Sequence, residues 1–228
     1  MCGRLTQSMT WAQIHRLYNL PHDARPLNLQ ARYNAAPTQD LAACRLDLAG
    51  EREVVTMRWG LIPSWAKDMK MSARLINARA ETVHTKPSFR SAFLRRRCTV
   101  PVDGWFEWRQ EPHGKQPYFL AALNAQPLSF AGLWERWTRA GESIESLTIL
   151  TTGASAALAA VHHRQPAIVG PDQLEAWLDP ASPAERLLDI VRTACEGPFE
   201  VRKISTLVNS VRNDTPDILT PAEAVERR

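Results

Sequence analysis

Long apolar runs, paired cysteines and linker-like tracts are all missing from this sequence. None of its 228 residues falls in an apolar stretch long enough to cross a bilayer as a helix, so no membrane partner is expected. The start, Met1-Cys2-Gly3-Arg4, has no basic segment leading into an apolar run and a small-residue cleavage site, and a cytoplasmic protein is therefore expected. The four cysteines, Cys2, Cys44, Cys98 and Cys195, form no C-x-x-C pair and have no nearby ligand set. That spacing argues against structural zinc and against a disulfide framework, and neither metal nor cofactor is expected. With no repeat, low-complexity tract or Pro/Gly/Ser-rich linker, the expectation is one domain over residues 1–228 acting as a monomer.

What is present suits a globular core with a basic surface. Hydrophobic residues make up 44% and charged residues 23% of the chain, and the net charge of +4 suits a polyanionic partner without proving one. Thr10-x-x-Gln13 reads as a capping box opening a short helix that ends near Leu20-Pro21. Ser182-Pro183-Ala184-Glu185 and Asp172-x-x-Glu175 open two further helices. Between them, β-branched and aromatic runs predict strands at Val54 to Trp59, Cys98 to Trp108, Tyr118 to Leu123, Leu128 to Trp134 and Leu147 to Thr152. The gaps are too short for βαβ crossovers. The expected class is thus α+β, a curved, mostly antiparallel, barrel-like sheet with peripheral helices.

Chemistry can start at Cys2. A small residue at position 2 permits removal of Met1, which leaves a 1,2-aminothiol whose amine titrates at about 7.7–8.0 and whose thiol titrates at about 8.5. An aldehyde meeting that end can form an imine with the amine and then a five-membered thiazolidine with the thiol. A cysteine after the start codon is by itself commonplace. In Asp103-Gly104-Trp105-Phe106-Glu107-Trp108, strand alternation points Glu107 away from Phe106 and Trp108; an interior carboxyl there would have a raised pKa. His162-His163-Arg164 joins a proton-transfer group to a phosphate-binding cation. Asn77 and Arg79, two apart, share a side if that segment is extended. The segments 32–37 and 59–65 read as loops that offer Pro37 and Trp65 to bases, and Arg95-Arg96-Arg97 reads as a solvated basic turn.

Taken together, Cys2-Gly3-Arg4, Tyr33-Asn34-Ala35-Ala36-Pro37, Trp59-Gly60-Leu61-Ile62-Pro63, Asn77 to Thr82, Asp103 to Trp108, His162 to Pro166 and Val208-Asn209-Ser210-Val211 resemble the SOS-response-associated peptidase family of abasic-site processing proteins. The resemblance covers nearly the whole chain in the family's order. It implies a covalent thiazolidine crosslink between Cys2 and abasic sites in single-stranded DNA, with associated lyase, crosslink-reversal and autoproteolytic activity. It assigns Asn77 to orienting the Cys2 end, Glu107 to proton shuttling, and His162 to sugar ring-opening and reversal. Arg4, Arg79 and Arg164 would clamp phosphates, Asn34 would contact DNA, and Trp65 and Pro37 would stack on or wedge between bases. The sequence departs from the family in carrying His163 where an Asp usually follows the histidine. Two rival readings remain open at this point, a cysteine peptidase using Cys2 with His162, and a non-catalytic reader of modified bases.

Overall fold

Strands dominate the computed structural model, which describes residues 2–222. In chain order they are β1 (Leu5–Gln7), β2 (Arg32–Ala35), β3 (Asp40–Leu46), β4 (Arg52–Trp59), β5 (Asn77–Arg79), β6 (Arg97–Val102), β7 (Gly104–Glu111), β8 (Gly114–Ala122), β9 (Leu128–Arg139), β10 (Glu142–Gly153), β11 (Arg164–Pro166) and β12 (Phe199–Lys203). Helices α1 (Trp11–Tyr18), α2 (Arg90–Arg95), α3 (Leu174–Leu178) and α4 (Ala184–Arg192) lie between them. Strands β10, β4, β3, β6 and β9 close on themselves as a five-stranded barrel through the β10–β9 pairing, and β5 and β11 add to β10. A second sheet runs β12-β8-β7-β1-β2. Pairing is antiparallel except where β10 meets β4 and β5, as expected for the α+β class.

Patterning explains most of the elements. Thr10 caps α1, its side chain accepting from the Gln13 amide while Gln13 reaches back, a capping box worth about 1 kcal/mol. The other two helices form without the caps read from sequence, because Ser182 donates instead to the Ala176 carbonyl at 2.6 Å and the residue preceding α3 is Gln173. The run Cys98 to Trp108 is two strands in two different sheets, broken at Asp103. Asp103 Oδ2 accepts from the Ser8 amide at 2.6 Å and its hydroxyl at 3.0 Å, fastening β1 across the break. Gly104 follows because β1, β7 and β8 crowd there; a Cβ at that position would lie 2.4 Å from the Phe119 ring and 2.6 Å from the Leu120 carbonyl.

One apolar cluster fills the barrel and the space facing the second sheet, with Met57, Trp59, Trp105, Phe130 and Ile149 buried beside Cys2. Another packs the helices on the barrel's outside through Tyr18, Phe93, Trp177 and Leu187. Each large side chain buried this way stabilises the fold by roughly 1.5–3 kcal/mol. Arg97, placed by sequence in a solvated turn, is instead buried in the second cluster, donating to the carbonyls of Phe93 (2.8 Å), Trp177 (2.6 Å) and Asp179 (2.6 Å). Alternation along β6 puts it on the face covered by the helices, opposite Cys98 and Val100, where carbonyls at the ends of α2 and α3 receive it. Among the described residues no helix is long and apolar enough to cross a membrane.

Candidate active site

The site is built around the way β1 is held. Gln7 donates to the Ala42 and Pro101 carbonyls at 2.9 and 2.8 Å and accepts from the Ala42 amide, clipping β1 to the barrel strands β3 and β6. On its other side the Phe106 amide donates to the Arg4 carbonyl at 3.0 Å. Residues 2–4 are thereby fixed against β7 at the level of Glu107. Strand β5 brings Asn77 alongside β10, supported by Trp59, whose indole donates to the Ile76 carbonyl at 2.9 Å. The Asn77 amide then donates to the Cys2 carbonyl at 2.6 Å, so the backbone of Cys2 is held from a strand distant in sequence.

Electrostatics follow from burial. Cys2 is 1% exposed; burial first and the Glu107 charge second push its thiol well above the ordinary range, keeping it neutral. Glu107 is 3% exposed, and burial raises its carboxyl to about 7. A group titrating there both gives and takes protons at neutral pH. His162 is shifted down, first by burial, with His163 and Arg164 also disfavouring its charge. Its Nδ1 lies 3.0 Å from the amide nitrogen and 3.1 Å from the carbonyl of Arg164, which fixes the orientation of the ring. The His163 ring stacks on it at 4.4 Å between centroids, where a carboxylate neighbour would have favoured the protonated form.

Glu107 and His162 line one open cavity of about 430 Å³, together with Arg4, Trp108, Lys115 and Asn209. The sequence-predicted residues Cys2, Asn77, Glu107, His162 and Arg4 are thus gathered into one region. Arg4 Nη1 donates to Asn34 Oδ1 at 2.6 Å and to the Val208 carbonyl at 2.7 Å, and its guanidinium lies 5.8 Å from the centre of the Trp108 ring.

Four sequence expectations need correction. The segment 32–35 is strand β2, not loop, and Asn34 is fully buried, its amide donating to the carbonyls of Val208, Ser210 and Asn213. It cannot touch DNA in this conformation; it holds Arg4 and the 208–213 segment in place. Trp59 likewise ends β4 and is fully buried, whereas Trp65 stands 57% exposed on a loop fastened by the Trp137 indole to the Ala66 carbonyl. Arg164 turns inward to Glu81 and to Thr151, which leaves its side chain 11% exposed. Pro37 is half-buried in a turn and Arg79 is exposed, in keeping with surface positions. Reasoning from sequence missed Asp214, which bonds Arg32 and the amides of Tyr33 and Asn34, and Lys115 in the cavity lining. Neither stands in a patterned motif, so only the fold reveals them.

A barrel-and-sheet α+β domain that holds the backbone of its second residue, Cys2, from Asn77 defines the class. The family model described as SOS response associated peptidase (SRAP) matches residues 1–211, and the chain belongs to that family. It is 33% identical over 222 residues to the abasic site processing protein YoqW of Bacillus subtilis, covering 96% of this chain and 99% of that one. It is 37% identical over 265 residues to the abasic site processing protein HMCES of Gallus gallus, covering 98% of this chain and 78% of that one. A crystal structure of a protein from Bacteroides thetaiotaomicron superposes with a TM-score of 0.84 at 27% identity, covering 97% of this chain and 100% of that one.

Proposed function

We propose that this protein processes abasic sites in single-stranded DNA by covalent capture through Cys2 once Met1 has been removed. The observation that carries the reading is that Asn77 holds the Cys2 carbonyl at 2.6 Å while a buried carboxyl, Glu107, lines one cavity with His162 and Arg4. While Met1 is attached, the Cys2 nitrogen is an amide and cannot attack. After its removal the free amine adds to the C1′ aldehyde of the ring-opened deoxyribose, giving a carbinolamine. Protonated Glu107 gives its proton to the departing hydroxyl, which leaves as water, and the resulting iminium returns its N–H proton to the Glu107 carboxylate, so that an imine remains. The thiol then adds across the C=N bond, its sulfur to carbon and its proton to nitrogen, closing a thiazolidine with the loss of one water overall.

Order matters here. A buried thiol with a raised pKa is a poor first nucleophile, so the amine attacks first and the sulfur follows on a tether that makes ring closure unimolecular. His162 serves sugar ring-opening and reversal, Asn77 holds the Cys2 backbone, and Arg4, Arg79, Trp65 and Pro37 border the strand. The lyase, reversal and self-processing activities belong to the same proposal, as does a cytoplasmic monomer that needs no metal or cofactor.

The test is a gel assay with an oligonucleotide carrying one abasic site. Wild-type protein is expected to give a heat-stable shifted adduct without borohydride, whereas Cys2→Ser, keeping the amine, gives only a borohydride-trapped one. A heat-stable adduct from Cys2→Ser without reduction would remove the thiol from the mechanism. If a variant whose N-terminal extension cannot be cleaved retains full DNA function, a binding module replaces the enzyme.

A further inference from the structure

We infer that Lys115 is a DNA-binding residue that contacts the backbone phosphate of the nucleotide flanking the abasic sugar. The inference rests on the single-stranded DNA reading above and adds a contact outside the residues already given roles. The cavity containing Glu107 and His162 must admit a sugar carrying a phosphodiester on each side, and every phosphate brings a full negative charge beside a carboxyl. Two cations expected to meet that charge are directed elsewhere. Arg164 is held by Glu81 and Thr151, and Arg4 spends Nη1 on Asn34 and Val208.

Lys115 enters the same cavity from the β7–β8 hairpin, with its side chain exposed. Its placement is set by pairing. Register puts Gln110 opposite Lys115 and Trp108 opposite Pro117, so Lys115 lies on the same face as Trp108 and diagonal to it, within reach of a long side chain. The hairpin is stiffened next to this position, because Glu111 accepts from Arg109 at 2.5 Å and from the Tyr118 hydroxyl at 2.8 Å. An ammonium on a flexible stem at the cavity mouth beside an indole is the pairing that single-strand sites use to hold a phosphate next to a flat surface.

The experiment measures binding of the Met1-processed protein to single-stranded oligonucleotide carrying a tetrahydrofuran analogue of the abasic sugar, by fluorescence anisotropy across a salt series. This analogue has no aldehyde, so binding is read without chemistry. Lys115→Gln should bind several-fold more weakly, with a log K against log salt slope shallower by about 0.7, while Lys115→Arg keeps both values near wild type. Because the side chain is exposed, both variants should melt like wild type. A Lys115→Gln slope and affinity equal to wild type, or failure of wild type to bind the analogue, overturns the inference. Adduct formation by wild type on a natural abasic site is scored separately. A Lys115-dependent slope without adduct sinks the covalent reading alone, and adduct with an unchanged Lys115→Gln slope sinks the phosphate contact alone.

Discussion

Glu107→Gln should make the protein more stable and less active, and the gain should depend on pH in a defined way. Burial moves the carboxyl from its ordinary 4.5 to about 7, so the folded chain binds this proton more tightly than the unfolded chain. Stability therefore falls as pH rises from about 4.5 to about 7, and the penalty reaches about 3 kcal/mol above that window. Glutamine fills the same volume without a titrating proton. The stability difference between Glu107→Gln and wild type should be small at pH 4, grow through the window and level off by pH 8. Urea unfolding at a series of pH values reads it, with both proteins in the same N-terminal state as fixed by intact mass. Capture rates should move the other way, falling about 10²–10⁴-fold with loss of the proton shuttle. A stability difference that stays flat from pH 4 to pH 8 would refute the placement of an ionisable, desolvated carboxyl beside Cys2.

Other consequences are open to simple measurements. Arg97→Met strands the buried carbonyls of Phe93 and Trp177, leaves Asp179 with the Ser182 amide alone, and should cost about 2 kcal/mol or more in urea unfolding; a cost under about 1 kcal/mol would mean water replaces the guanidinium. His163→Asp replaces a group that disfavours charge on His162 with one that favours it, so the His162 inflection in the pH profile of crosslink reversal should move to higher pH. An unchanged profile removes His163 from the tuning of the site. Asn34→Ala should lose about 2 kcal/mol or more of stability, since its amide bridges three carbonyls and anchors Arg4. A variant as stable as wild type but defective in DNA binding would return Asn34 to the surface.

Local rules carried the reading where one residue's own pattern decides its surroundings. The Thr10–Gln13 box, the β-branched runs and the alternation that turns Glu107 away from Phe106 and Trp108 are all short-range, and each has its counterpart in the fold. Long-range partners were not readable. Asn34 and Arg164 look like surface contacts until the strands deliver Arg4 and the 208–213 segment to the first and Glu81 to the second. Arg97 shows the same limit, because a triple arginine carries no sign of which member will be buried beneath the helices. The break at Asp103 escaped pattern reading because both halves of the run are apolar, and only the crossing of β1 requires the turn.

The central claim is that the processed Cys2 end is an aminothiol able to bond to a sugar aldehyde. Intact mass spectrometry, on the protein alone and after incubation with single-stranded DNA bearing one abasic site, tests it most directly. The account predicts a starting mass lacking Met1 and a product equal to protein plus oligonucleotide less one water. Retained Met1 accompanied by the same product, or a processed protein that leaves the abasic oligonucleotide unmodified, would contradict it.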